Sequence, residues 1–251
     1  MFDIFMRSSK ECRRWVPLVF CLIFMAGTRD IQEEENPVVR LKIAELKSGL
    51  KLRYTLSLPS GYSPDRTYPL VLALHQGGSV TPFYGLEFLT ALVQPALEEL
   101  DAIIAAPDCP DSGWTSPLSE EAVLELILLC METYRVDPGR VAVLGFGRGG
   151  LGAWYLAGRH PDIFSAAIPV AAPADAEATP QVDNVPLFII HGENDEVFPP
   201  DEVMKLYQKQ KGAGADVQFV IVEKTSHYEL SRYITPLKAT IPWIKRVWEG
   251  R

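Results

Sequence analysis

The chain is short of the residues that mark several functional classes. It has four cysteines in 251 residues, and two of them, Cys12 and Cys21, lie in an N-terminal segment that reads as removable. The other two, Cys109 and Cys130, permit one disulfide in an exported protein, but their spacing matches no metal-ligand motif. There is no basic cluster: 24 Lys and Arg stand against 32 Asp and Glu, for a net charge of −8. That balance argues against nucleic acid and against anionic membrane surfaces as partners. No internal repeat or low-complexity tract occurs. No apolar run is long enough to cross a bilayer comfortably, since the longest, Trp15–Ala26, is interrupted by Pro17.

What is present is an ordinary globular composition, 47% hydrophobic and 22% charged, which excludes a disordered chain. Arg7, Lys10, Arg13 and Arg14 precede the short apolar run, and small residues follow it at Ala26, Gly27 and Thr28. This is the pattern of a signal peptide over 1–28, with an uncleaved membrane anchor as the alternative. Residues 29–37, ending in Glu33-Glu34-Glu35-Asn36-Pro37, read as a linker, and 38–251 as one domain.

Within that domain Val38–Leu46 and Lys51–Leu58 alternate and are joined at Ser48-Gly49, which predicts an antiparallel hairpin at a sheet edge. The unbroken apolar run Tyr68–His75 predicts a strand buried on both faces. From there strands and helices alternate: helix Leu86–Leu100, strand Ala102–Ala106, a helix opening at Ser119-Glu120-Glu121, and strand Arg140–Leu144. Helix Arg148–Arg159, strands Ala166–Val170 and Leu187–Ile190, helix Asp201–Lys211, strand Val217–Val222 and a helix from Pro236 to Trp248 complete the order. The pattern predicts a doubly wound, mainly parallel α/β sheet, in which ligands bind at the carboxyl ends of the strands.

Four turns fall at those ends. The turn Gly145-Phe146-Gly147-Arg148-Gly149 links a strand to a helix with the glycine spacing of a nucleophile elbow, but its central residue is glycine. A phosphate loop is the competing reading; the Lys-Ser/Thr of a Walker loop is missing and the spacing does not fit G-x-G-x-x-G. The turn His191–Pro199 offers Asp195 as an acid to orient a histidine, with Glu193 and Glu196 as competitors. Thr225-Ser226-His227 offers His227 as a general base, against a plain surface histidine. The order elbow, acid, histidine is that of α/β-hydrolases, and Leu74-His75-Gln76-Gly77-Gly78 stands where their oxyanion loop would.

On these residues, with Tyr134–Val141 and Ala157–Ala167, the chain resembles the secreted esterase branch of the α/β-hydrolases over roughly 38–248. That branch includes polyhydroxybutyrate-depolymerase-like, feruloyl-esterase-like and phospholipase/carboxylesterase-like proteins. The resemblance implies Asp195 as triad acid, His227 as base, and Gly147 as the nucleophile position, where this chain departs from the family. It places the N–H groups of Gln76 or Gly77 and of Arg148 toward an oxyanion, with Trp114 and Tyr84 as candidate cleft walls. His75 and His191 are expected to pack beside the site, and His160 to sit in a structural turn. The implied partner is a small-molecule or polymeric ester, with no metal or organic cofactor.

Glycine has no oxygen with which to form an acyl-enzyme, Phe146 is inert, and Arg148 stays protonated. Three functions fit: an impaired esterase or pseudoenzyme with a ligand cleft, a residual hydrolase in which His227 and Asp195 activate water, or an exported interaction protein.

Overall fold

The apolar runs form the middle of a single eight-stranded sheet in the computed structural model. Strands β3 (Tyr68–Leu74), β4 (Ile103–Pro107), β5 (Val136–Phe146), β6 (Ala166–Val170), β7 (Leu187–Gly192) and β8 (Val217–Val222) run parallel. The hairpin β1 (Val38–Glu45) and β2 (Lys51–Leu58) is antiparallel and closes one edge, giving the order β1-β2-β4-β3-β5-β6-β7-β8. The described residues are 38–78, 81–175 and 182–250, and they belong to one unit. The expected signal peptide at 1–28 and linker at 29–37 lie outside them, as does part of the 171–181 loop.

Helices cover both faces, as alternating side chains along the strands require. Leu70, Leu72 and Leu74 point into a core shared with α3 (Pro117–Thr133), α4 (Arg148–Arg159) and Val203 of α5 (Pro200–Gly212). Val71 and Ala73 point the other way, against a helical stretch at 84–100 and the C-terminal helices α6 (Ile234–Lys238) and α7 (Ile241–Glu249).

Several expected boundaries are corrected. The helix expected at 86–100 starts at Tyr84 and changes pitch, from α1 (Tyr84–Phe88) through a wide turn (Leu89–Val93) to α2 (Gln94–Leu97) and a tight turn (Glu98–Leu100). Pro95 explains it, because its ring and missing N–H do not fit a regular helix interior and a widened turn gives the ring room. The C-terminal helix breaks at Ala239-Thr240, and Pro242 then sits in the first turn of α7, where no N–H is needed. Helix α3 is capped by Ser116, whose hydroxyl accepts the Ser119 N–H at 3.2 Å, so the cap lies three residues before the expected start. Strand β5 begins at Val136, paired with Tyr68; Asp137–Arg140 then bulge out and pairing resumes at Leu70–Val141. Cys109 and Cys130 are both free thiols, and burial pushes Cys130 up to about 12.

The strand order reverses between β3 and β5, so the loops that follow these two strands face each other across a crevice. Two glycines allow the approach. A Cβ on Gly145 would stand 1.9 Å from the Gly149 carbonyl oxygen, and one on Gly149 would stand 2.0 Å from that of Leu74. Gly145→Ala and Gly149→Ala should each destabilise the fold by about 1–3 kcal/mol or more, because backbone cannot give way as a side-chain tip can. Gly212→Ala, with nothing near its added methyl, should stay within about 0.5 kcal/mol. Urea unfolding of the three variants checks the contrast.

Candidate active site

The elbow at the end of β5 holds Gly147 at φ 55°, ψ −117°, a conformation that strains any residue with a Cβ. Its N–H donates to the Val170 carbonyl at 2.9 Å, and its carbonyl accepts the Leu151 N–H, so the turn is fixed at both ends. A Cβ at this position would lie 3.0 Å from His227 Nε2, 3.3 Å from His227 Cε1 and 3.9 Å from Gln76 Cβ. The glycine therefore presents a missing side chain directly to the histidine.

His227 is buried and held through its other nitrogen. Nδ1 lies 2.8 Å from Asp195 Oδ2, and the Asp195 side chain is wholly inaccessible. The second carboxylate oxygen, Oδ1, accepts the N–H groups of Val197 at 3.0 Å and Phe198 at 2.8 Å. Burial works to raise this carboxyl, but the His227 hydrogen bond, the Phe198 N–H and the two neighbouring imidazoles outweigh it and hold it below its ordinary value. With Nδ1–H bound to a carboxylate, the Nε2 lone pair faces Gly147.

The three acids expected to compete separate cleanly. Glu193 accepts the Lys224 N–H at 2.7 Å and Glu196 the His227 N–H at 3.0 Å, so only Asp195 meets the imidazole. Glu196 thereby fixes the loop that carries His227, a role its sequence position did not reveal. Phe146, Phe198 and Tyr228 surround the His227 ring with centroids 5.2, 5.7 and 5.5 Å away. Nothing but their closeness in sequence to the site residues signalled this.

The other histidines are structural. His75 Nδ1 donates to the Gln76 carbonyl at 2.7 Å and Nε2 accepts the Cys109 N–H at 3.0 Å, which is the neutral tautomer. Burial pushes its pKa down. It pins the loop after β3 to the loop after β4. His191 is inaccessible, and its Nε2 donates to the Phe198 carbonyl at 2.8 Å and lies 3.6 Å from Asp195 Oδ2, bracing the acid's turn. Burial lowers its pKa too. His160 and Arg159 both meet Glu120, whose other oxygen accepts the Tyr155 hydroxyl at 2.6 Å; this set ties α3 to α4.

A cleft of about 640 Å³ opens over His227, lined by Gln76, Gly77, Phe146, Arg148, Phe198 and Tyr228 among others. The structure thus brings Gly147, Asp195, His227, Gln76, Gly77 and Arg148 together. The Arg148 stem lies across Gly77, where a Cβ would meet its Cδ at 2.6 Å. As the first residue of α4, Arg148 has an N–H with no partner inside the helix. The two aromatic residues expected to wall the cleft sit elsewhere. Trp114 is buried, its Nε1 donates to the His75 carbonyl at 3.0 Å, and Tyr84 packs edge-on against the His75 ring. They clamp the histidine behind the Gln76 loop, and Trp114 lines only a narrow neighbouring recess. Asp108 went unnoticed in the sequence; its buried carboxylate accepts the N–H groups of Phe83 and Gly85 and meets Arg53 Nε at 3.1 Å. Among the described residues no group of acidic, histidine or cysteine side chains is gathered to hold a metal, and no helix is long and apolar enough to cross a membrane.

With that geometry in view, comparison with known proteins gives a consistent result. The dienelactone hydrolase family matches residues 114–231. Feruloyl esterase C of Emericella nidulans is 29% identical over 160 residues, covering 59% of this chain and 56% of that protein. Protein usf of Aquifex pyrophilus is 33% identical over 92 residues, 36% of this chain and 40% of that protein. The chain thus spans about half the length of the curated relatives it matches. Among solved structures, a thermostable esterase superposes with a TM-score of 0.64 at 25% identity, over 84% of this chain and 62% of that one. A ferulic acid esterase superposes with a TM-score of 0.70 at 20% identity, over 85% and 99%. The chain is a member of the α/β-hydrolase superfamily, with dienelactone-hydrolase-like and feruloyl-esterase-like relatives.

The pairing of Asp195 with His227 has a consequence for stability. Because folding lowers the Asp195 carboxyl below its ordinary value of 3.8, its contribution is fully present above 3.8 and is lost as pH falls through the folded value. The stability difference between the native chain and Asp195→Asn should therefore be constant at neutral pH and shrink in acid. Urea unfolding of both proteins across that range checks it.

Proposed function

We propose that this chain is a carboxylic-ester-binding α/β-hydrolase that keeps the acid and base of a catalytic triad but forms no acyl-enzyme. Asp195 fixes the His227 tautomer and would stabilise its imidazolium. The N–H groups of Gly77 and Arg148, on facing loops, would receive the oxyanion of a bound ester, and the cleft over His227 would hold its acyl or alcohol part. The observation that carries the reading is the bare backbone of Gly147 set beside the Nε2 of an anchored histidine. The pairing of His227 with Asp195, and the cleft that Gln76, Gly77 and Arg148 line over it, support this reading. Loss of the serine in such sites lowers turnover by about 10⁶, leaving roughly 10³–10⁴ over water from the oxyanion donors and binding.

The proposal extends to export. The basic residues before Trp15–Ala26 and the small residues after it support a signal peptide. Mass measurement of the N-terminus of the protein recovered outside the cell should place cleavage near residue 28; recovery of the full chain in membranes would favour an anchor.

Gly147→Ser tests the main reading. A Cβ at 3.0 Å is too close to Nε2 by a few tenths of an ångström, so the His227 ring must retreat slightly. The serine form should show a burst with p-nitrophenyl acetate and at least about a 10²-fold gain in turnover. It should also lose about 1–3 kcal/mol of stability from the strained φ. A native chain already as fast as the serine form would overturn the account of Gly147. If neither form turns over or binds esters, the site is not an ester site, and a non-catalytic interaction protein becomes the better reading.

A further inference from the structure

The wall of the cleft over His227 carries positive charge that no described group of the protein takes up. Helix α4 begins at Gly147 with no side-chain cap and no acid in its first turn. In α3, by contrast, Ser116 caps the helix and Glu120 stands in the first turn. The first N–H groups of α4 therefore keep the partial positive charge of the helix end unopposed. Arg148 adds a full charge. Its stem runs across Gly77, where a Cβ would meet its Cδ at 2.6 Å and its Nε at 3.1 Å. Among the described residues its guanidinium has no ion pair or hydrogen bond, although acidic residues outnumber basic ones 32 to 24 in the chain. Glu87 borders the same cleft and Asp111 the adjoining recess, and neither pairs with it.

His227 completes the set. Its side chain is 10% exposed, its Nδ1 is committed to Asp195, and its Nε2 has no partner among the described residues. That nitrogen faces the start of α4, since the Cβ position of Gly147 lies 3.0 Å from it. A side chain at 147 would project into the cleft between Nε2 and the helix end; glycine leaves that space to a ligand. The rest of the wall includes Phe146, Val197, Phe198, Tyr228 and Leu230, an apolar surface for the body of an organic molecule. These features discriminate between two forms of an acyl ligand. An ester carbonyl can accept from the helix end, but it brings no charge for Arg148 and nothing that a protonated Nε2 prefers over water. A carboxylate brings charge and two acceptor oxygens, and its hydrogen bonds to ionised donors are roughly twice as strong as neutral ones.

We infer that the cleft is a receptor site for an organic monocarboxylic acid, whose carboxylate is held in front of Gly147 between Arg148 and His227 while its apolar body lies along the aromatic wall. This rests on the reading of the cleft as the place of an acyl group, and names the free acid as the ligand it holds best. One carboxylate oxygen accepts from Arg148, and the other accepts from Nε2, which takes up a proton as the ligand enters. Asp195 holds the imidazolium from its far side. No covalent bond forms or breaks. The charged and titratable groups around this imidazole are Asp195, with His191 3.6 Å from the same carboxylate oxygen, and Tyr228 beside the ring. Glu196 and Glu229 sit on the backbone N–H groups of His227 and Ser226, Tyr233 on the Ser226 carbonyl, and Arg148 and Glu87 on the cleft wall. Of these, Asp195 alone meets the ring directly with charge, and it favours the protonated form.

The test uses the full chain and three probes of one shape: phenylacetate, phenylacetamide and methyl phenylacetate. Titration calorimetry should show the acid bound at least about tenfold more tightly than the amide or the ester. Titrations near pH 8, where an ordinary imidazole is neutral, in Tris and in triethanolamine should show uptake of about one proton with the acid and none with the amide. Arg148→Met keeps a stem across Gly77 and removes the charge. It should weaken binding of the acid by about tenfold or more and of the amide by less than about twofold. His227→Gln should abolish the proton uptake. Equal affinity for acid and amide overturns the inference, as does an Arg148→Met protein that keeps the preference, or binding of the acid with no proton taken up. Should a variant fail to fold, the probes and the two buffers decide on the native chain. Gly147→Ser keeps the two readings apart. A serine form that hydrolyses p-nitrophenyl acetate, beside a native chain with no preference for the acid, overturns the carboxylate site and leaves the ester-cleft reading intact. An inactive serine form with none of the three probes bound brings down both.

Discussion

The close contact of α4 with the ends of β3 and β5 is the constraint from which the rest of the site follows. Gly149 lies against the Leu74 carbonyl and Gly145 against the Gly149 carbonyl, at separations that admit no Cβ. This lets a helix begin directly at the strand ends, which turns the chain sharply and lifts Gly147 above the sheet. It also sets the first residue of that helix, Arg148, beside Gly77 on the opposite loop. The backbone N–H groups facing the cleft are thus positioned by packing of the sheet and need no dedicated hydrogen bonds of their own. The same contact makes the elbow tolerant of losing its central side chain, since everything that shapes it is backbone.

Asp195 and His227 are brought together on the other side of that contact by a second device, the stiffening of two loops by each other. Asp195 accepts two backbone N–H groups of its own turn before it meets His227, so it is oriented without the histidine. Glu196, one residue on, reaches the His227 backbone, and Glu193 reaches Lys224. The turn at 193–199 therefore supplies a carboxylate to the imidazole and two anchors to the loop that carries it. The inaccessible His191 closes the turn from beneath through the Phe198 carbonyl. An orientation this determined persists whether or not a nucleophile is present. That keeps the Asp195–His227 pair hydrogen-bonded opposite a glycine.

Much of this was legible in the sequence because it depends on backbone and on period. The parallel strands β6 and β8 and the helix α4 fall where the apolar runs and the glycine turn put them. Gly147, Asp195 and His227 meet because they follow β5, β7 and β8 of one parallel sheet, whose carboxyl ends lie on the same side. What could not be read was decided by contacts distant in sequence. Trp114 and Tyr84 are the kind of residues that wall clefts, but their positions are set by His75, and nothing local distinguishes a clamp from a wall. The pitch change before Pro95 and the bulge at Asp137–Arg140 reflect local chemistry whose outcome depends on the partner strand or helix. The division of labour among Glu193, Asp195 and Glu196 likewise rests on where the 223–227 loop returns.

A glycine at position 147 changes the physical constraints on this turn. With serine, the strained backbone and the crowding of Nε2 against Cβ are the price of an oxygen held ready to attack. With glycine both strains vanish, and the 3.0 Å separation shows the histidine already lying where a carbon would be crowded. The loop after β3 is anchored behind the cleft by His75 and Trp114, which holds Gly77 against the stem of Arg148.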